Sequence, residues 1–203
     1  MFLLALGRSS DAELVRRFQT GDRRAFNEIV LRYQDRIYRL CVRWLGDAAV
    51  AEETAQDIFV ALFRALPSFR GEALLSTFVF RVAVNHNKNR RAYRRRRHDG
   101  QHEPVDAPAT EDRPGRQFAA DQPDAADAVF RTQAERLVHQ ALDMLDEETR
   151  QILLLRDVED LPYEEISEIL DLPRGTVKSR LHRARAQLAV VLGRQLAPED
   201  VNG

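Results

Sequence analysis

Residues 164–188 read EEISEILDLPRGTVKSRLHRARAQL, two amphipathic helices joined by a tight turn. In the first helix Ile166, Ile169 and Leu170 fall at i, i+3 and i+4. In the second, Val177, Leu181, Ala184 and Leu188 lie within about 60° of one another at ~100° per residue. Each helix therefore carries an apolar stripe that can pack on the other. Pro173 stands at the second helix's first turn, where a missing N–H does little harm. Opposite the second stripe stand Ser179, His182 and Arg183, with Lys178 on the flank. An apolar seam beneath a cationic, polar edge is the sequence form of a helix-turn-helix that enters a major groove.

The charge is sorted by element. Arg174 to Arg194 holds six Lys or Arg and no acid, whereas Asp143 to Asp171 holds eleven Asp or Glu against two Arg. Ordinary solvated helix faces mix signs to gain i,i+4 pairs, which the second helix lacks within itself. Arginine suits bidentate contacts with guanine and with phosphate. The whole-chain net charge of -1 hides this division.

Working outward, 203 residues with 44% apolar and 31% charged side chains allow one medium core or two small ones. The single cysteine, Cys41, excludes an internal disulfide and a Cys-rich zinc site, and it falls on an apolar helical stripe. The opening MFLLALG is too short for a signal-peptide core and has no basic flank, and no apolar run approaches a membrane span. These features point to a soluble, cytoplasmic protein. Residues 11–97 read as helical, with Phe26, Ile29, Val30, Tyr33, Ile37, Leu40, Cys41 and Trp44 at helical spacing. Ala55, Ile58, Phe59, Leu62, Phe63 and Leu66 repeat the pattern. Between His98 and Asp127 come four prolines, eight acids and two arginines with few large apolar side chains, a composition that reads as a linker. From residue 128 helical periodicity returns and continues to a short tail ending at 203. The expected class is all-α: a helical domain over 1–97, an acidic linker over 98–127 and a helix-turn-helix domain over 128–203. Fully extended, a tether of roughly 30 residues reaches at most ~100 Å, far enough for two domains to hold two separated DNA elements.

A second cationic run, RVAVNHNKNRRAYRRRRH at 81–98, has eight Lys or Arg and no acid. It continues an apolar helix, TFVFRVAV, and intersperses Asn85, Asn87, Asn89 and Tyr93 among the cations. Amides read base edges and aromatic rings stack on unpaired bases. Just upstream, SFRGEALLST at 68–77 is loop-like around Gly71, with Phe69, Arg70, Ser76 and Thr77 placed to hold an extruded base.

Four stretches together resemble the extracytoplasmic-function (ECF) sigma factors, group 4 of the primary bacterial RNA polymerase sigma factor family. They are AFNEIVLRYQDRIYRLCVRWLGD at 25–47, AEETAQDIFVALFRALPSFRGE at 51–72, STFVFRVAVNHNKNRRAYRRR at 76–96 and ALDMLDEETRQILLLRDVEDLPYEEISEILDLPRGTVKSRLHRARAQL at 141–188. The resemblance spans all but the linker and the two ends. It implies a transcription initiation factor, not an enzyme, with a sigma region 2 bundle followed by a region 4 helix-turn-helix. The implied partners are bacterial core RNA polymerase, promoter DNA and an anti-sigma factor; no cofactor or metal is implied.

Residue by residue, the resemblance assigns Glu53, Gln56, Asp57, Ile58, Phe59 and Leu62 to the polymerase's clamp helices. Melting of the -10 element and capture of a flipped base fall to Phe69, Arg70, Gly71, Ser76, Phe78, Arg81, Asn85, Lys88, Asn89, Arg91 and Arg94. Duplex reading of the -35 element falls to Arg174, Thr176, Lys178, Ser179, Arg180, His182 and Arg183. Many relatives carry tryptophan at the position of Phe78 and tyrosine at that of Phe80, so aromatic bulk persists here without an indole or phenol hydrogen bond.

Other classes make different demands. A stand-alone helix-turn-helix regulator would explain the second domain but leave the first domain's basic run without a task. A nucleic-acid enzyme would need paired metal-binding carboxylates, a Gly-rich phosphate loop or an HxE with CxxC, and the chain has none. His98 and His102 form an i,i+4 pair without a third ligand. An acidic second domain beside a basic first one also makes a packed state plausible.

Overall fold

The structure is a computed structural model that describes residues 9–98 and 136–196. Apart from His98, the linker read at 98–127 lies outside these residues, as do His102 and the tail. Every regular element among them is helical, as the all-α reading expects, and none is long and apolar enough to cross a membrane.

Polar side chains that accept from otherwise unpaired N–H groups set the first helices. Helix α1 (Asp11–Gln19) starts at an N-cap, Ser10 accepting from the Glu13 N–H at 3.2 Å. Asp22 caps α2 (Arg23–Leu45) and Asp47 caps α3 (Ala48–Ala65). A 3₁₀ turn at Leu66–Ser68 leads through a loop to α4 (Leu75–His98). The apolar stripes read from sequence meet in one core, with Ile29, Ile37, Leu40, Trp44, Ile58, Leu62, Val79 and Phe80 buried. Phe63 is the exception: it lies at the rim, stacked edge-on to Phe18 and Phe26.

In the second half, α5 occupies residues 136–143 of the described chain. Asp146 caps α6 (Glu147–Leu153), which widens into a π turn at Leu154–Val158. Helices α7 (Tyr163–Leu170) and α8 (Arg174–Leu196) form the helix-turn-helix. Arg150, only 1% exposed, sends its guanidinium to the carbonyls of Leu142 and Leu145, where the helical ladder of α5 runs out.

The two halves pack together. Helix α4 lies against α7, α2 against the π turn, and the buried apolar cluster is continuous across the junction. Gly46 marks the close approach. It ends α2 with a left-handed φ of +70°, and a Cβ placed there would fall 1.8 Å from Nε2 of His139 on α5. The packed state that charge sorting made plausible is the one observed.

Candidate nucleic-acid interface

The turn between α7 and α8 runs from Asp171, left-handed at φ +53°, to Pro173, whose carbonyl accepts the N–H groups of Thr176 and Val177 at 2.8 and 3.0 Å. This turn sets α8 so that Val177, Leu181 and Ala184 are buried and Leu188 partly so. Lys178, Ser179, His182 and Arg183 are exposed on the other side, the division expected from the helical wheel. Three other cations find partners on neighbouring elements: Arg174 with Glu164 at 2.9 Å, Arg180 with Glu148 at 2.6 Å, and Arg185 with Asp157. The sequence showed no partner within the helix, and the carboxylates come instead from the acidic helices beside it. Lys178 and Arg183 are left as the open cations of the recognition face, with Arg194 exposed at the far end of the helix and Arg183 Nε only loosely donating to the Ser179 carbonyl at 3.4 Å.

The second surface is built on α4 and the loop before it. Gly71 turns the loop at φ +73°, and the rings of Phe69 and Phe78 meet at 4.8 Å between centroids. They line a shallow hollow with Ser68, Arg70 and Arg81. Phe80 is fully buried beneath the Arg36 guanidinium, 4.7 Å from its ring, so Phe78 alone of the two offers aromatic surface. Arg81, Asn85, Lys88 and Asn89 form an exposed row along α4. Asn87 corrects the reading of three base-reading amides. It is 0% exposed, and its amide donates to the Ala83 carbonyl at 2.9 Å and to Cys41 Sγ at 3.4 Å. Two residues from each of the other amides, it turns inward on a helix whose faces repeat every 3.6 positions.

Several members of the -10 set touch the second domain. Ser76 Oγ donates to Glu165 at 2.7 Å, Arg81 to the Glu168 carbonyl at 2.6 Å, and Arg91 to Asp143 at 3.0 Å. Arg94 stays within its own domain, on the Leu45 carbonyl at 3.0 Å. Asn85 and Lys88 line a cleft whose opposite wall includes Gln151, Glu168 and Asp171.

On α3, Gln56 is exposed, Asp57 and Phe59 are partly so, and Glu53 pairs with Arg90. Ile58 and Leu62 are 0% and 1% exposed: they seat the helix in the core and offer no surface to a partner.

Sequence reasoning missed the interdomain latch. Arg36 Nε lies 3.1 Å from Glu159 Oε2, and its terminal nitrogen donates to the Glu159 carbonyl at 3.0 Å. Glu159 is 6% exposed and its Oε1 has no partner; burial pushes its carboxyl pKa up, against the pull of Arg36. The π turn, an extra-wide turn, delivers Glu159 to this place, and only the sorting of charge between the domains hinted at such a contact.

Comparison with known proteins matches these halves separately and together. The family models for Sigma-70 region 2 and Sigma-70 region 4 match residues 29–98 and 135–188. The RNA polymerase sigma-H factor of Pseudomonas aeruginosa is 40% identical over 184 residues, 89% of this chain and 92% of that protein. The ECF RNA polymerase sigma-E factor of Escherichia coli is 35% identical over 176 residues, 87% of this chain and 91% of that protein. Two solved structures share the fold. CnrH, in complex with the cytosolic domain of CnrY, superposes with a TM-score of 0.67 at 20% identity, covering 92% of this chain and 99% of CnrH. The sigma factor RpoE of Bartonella quintana, in complex with the anti-sigma factor NepR, gives 0.59 at 21% identity, covering 83% and 96%.

Proposed function

The chain belongs to the ECF sigma factors, and from that membership we propose that it binds bacterial core RNA polymerase and directs it to a restricted promoter set. In this reading it initiates transcription by recognition and melting and catalyses no reaction itself. Helix α8 reads a -35 element as duplex, with Lys178, Ser179, His182 and Arg183 facing the groove. The loop over 69–77 and the outer row of α4 hold the -10 element as a single strand, Phe69 and Phe78 supplying ring surface and Arg81, Asn85, Lys88 and Asn89 polar and cationic contacts. The exposed face of α3, from Gln56 to Phe59, meets the polymerase.

The observation that carries this reading is the pairing of two separate basic surfaces on one chain: an exposed recognition face on α8 and an exposed amide-and-cation row on α4. A lone helix-turn-helix regulator has use only for the first. Phosphate contacts supply affinity on both and base contacts supply choice. Two modest binders joined in one chain gain by effective concentration once polymerase fixes their spacing. Control by an anti-sigma factor is part of the proposal, on the precedent of the RpoE complex with NepR.

Run-off transcription with purified core polymerase over a promoter library tests it, with a Lys178→Ala, Ser179→Ala, Arg183→Ala triple variant alongside. Initiation that requires the protein and fails with the variant supports the proposal. Tight polymerase-independent binding to duplex without initiation would replace it with an ordinary helix-turn-helix regulator.

A further inference from the structure

The loop that carries Phe69 is held by a side chain of another helix. Gln19, the last residue of α1, donates through Nε2 to the Phe69 carbonyl at 2.7 Å and to the Leu66 carbonyl at 3.2 Å. Both acceptors are carbonyl oxygens, so only the NH2 of the amide can meet them, one hydrogen to each. Leu66 and Phe69 are the start and the exit of the 3₁₀ turn, which closes on itself from the Phe69 N–H to the Leu66 carbonyl at 3.1 Å. Gln19 thus clips the turn at both ends, from 47 and 50 positions away in sequence.

The anchor is stiff where the loop is not. Leu14, Val15 and Phe18 bury one face of α1 in the core, and Phe18 packs against Phe26 and Phe63. Behind Gln19 the corner into α2 is closed by Thr20, whose hydroxyl donates to the Arg17 carbonyl at 2.9 Å, and by Arg17 paired with Asp22 at 2.7 Å. Beyond Phe69 the chain has weaker support. The side chains of Arg70 and Glu72 are 84% and 81% exposed and stand 4.0 Å apart, an arrangement that contributes little. Leu66 is buried and seated by packing, so the bond that decides the loop is the one to Phe69, whose ring meets that of Phe78.

We propose that Gln19 is a positioning residue for the single strand: by fixing the Phe69 backbone it keeps the hollow between Phe69 and Phe78 formed before an unpaired base arrives. The inference rests on the reading of this loop as the holder of the -10 element. A loop formed in advance loses little freedom on binding, whereas a loose one must be ordered at a cost in affinity.

The experiment is a double-mutant cycle between Gln19 and one nucleotide, run on holoenzyme assembled from the full-length chain and core polymerase. The probe is a fluorescein-labelled nontemplate strand carrying the -10 element of a promoter recovered by run-off transcription, intact or with an abasic site at each position in turn. In wild type, removing the captured base should weaken binding roughly tenfold, the scale of one lost aromatic stack. Gln19→Glu keeps the length but sets an acceptor against two carbonyls. Its abasic penalty should shrink to about twofold, with weaker binding of the intact strand. Gln19→Lys restores a donor and should regain most of the tenfold penalty. Added charge acts on intact and abasic strands alike and cancels in the ratio.

An equal abasic penalty in wild type and Gln19→Glu overturns the inference, because a side chain that served stability alone would weaken both strands equally. Gln19→Met, uncharged and of similar length, repeats the test if Gln19→Glu loses its helical circular dichroism. A Gln19→Lys variant that behaves like Gln19→Glu overturns the donor role. No recoverable promoter, or a wild type without an abasic penalty at any position, removes the single-strand reading and the inference with it; a penalty that wild type and variants share keeps that reading and removes only the role of Gln19.

Discussion

The indole Nε1 of Trp44, near the end of α2, donates to the carboxylate of Glu147, at the start of α6, across 3.1 Å and 103 positions of sequence. Glu147 sits at a helix N-terminus, which favours its charge, and its other oxygen lies 3.5 Å from Arg91. The bond ties one domain's core residue to the other's first helical turn, and it makes docking of the domains measurable by light emission.

Glu147→Ala leaves a buried indole N–H without an acceptor, a loss of about 1–3 kcal/mol. Docking should weaken before either domain unfolds. Urea titration followed by Trp44 emission should show an early red shift at lower denaturant than in wild type, ahead of the loss of helix. Coincident, unshifted transitions would contradict the link.

On α8, free and paired cations should behave differently. Arg183→Ala is expected to cost roughly 1–3 kcal/mol at the preferred promoter and to relax choice at one base pair, whereas Lys178→Ala should weaken all promoters and lower the salt slope by about one. Arg185→Ala removes an exposed pair with Asp157 and should change stability by less than about 1 kcal/mol with initiation nearly intact. Competition binding of holoenzyme at several salt concentrations measures all three. A larger loss from Arg185→Ala than from Arg183→Ala would reverse the assignment of the reading face.

The three amides of α4 divide by face. Asn87→Ala deletes the buried bonds to Ala83 and Cys41 and should lower unfolding free energy by about 1–2 kcal/mol, with initiation per folded molecule preserved. Asn85→Ala and Asn89→Ala should stay within roughly 0.5 kcal/mol of wild-type stability and lower initiation instead. Thermal melts paired with run-off assays test the split.

Burial pushes the Cys41 thiol up to about 12, against an opposing bond from Asn87, and it raises the Tyr33 hydroxyl as well. Both groups hold their protons more tightly folded than unfolded. Their contribution to stability is therefore complete below the ordinary thiol range and is lost as pH climbs toward about 12. The melting temperature should begin to fall above pH ~9, and Cys41→Ala should flatten the first part of that fall. Native Cys41 should resist maleimide until denaturant is added.

Much of the fold was legible because helices obey a local rule. The stripe from Phe26 to Trp44, the seam of Val177, Leu181 and Ala184, and the exposed edge of Ser179, His182 and Arg183 all follow from a 3.6-residue period. The same rule, applied to Asn87, would have turned it inward; composition drew it into the basic surface instead. Ile58 and Leu62 entered the polymerase set by family resemblance, and their burial follows from the stripe they share with Ala55.

The sequence by itself determined the helices, the two basic surfaces, the sorting of acid from base and the family, since these depend on neighbours a few positions apart or on the order of whole stretches. Only the tertiary structure decided which charges meet. Arg36 and Glu159 are 123 positions apart, Ser76 and Glu165 are 89 apart, and nothing within either segment names its partner. An ion pair forms where packing brings two charges within reach and shuts out water, and that depends on the docking of whole helices. The same packing of helices leaves Arg183 open while Arg185 is paired with Asp157.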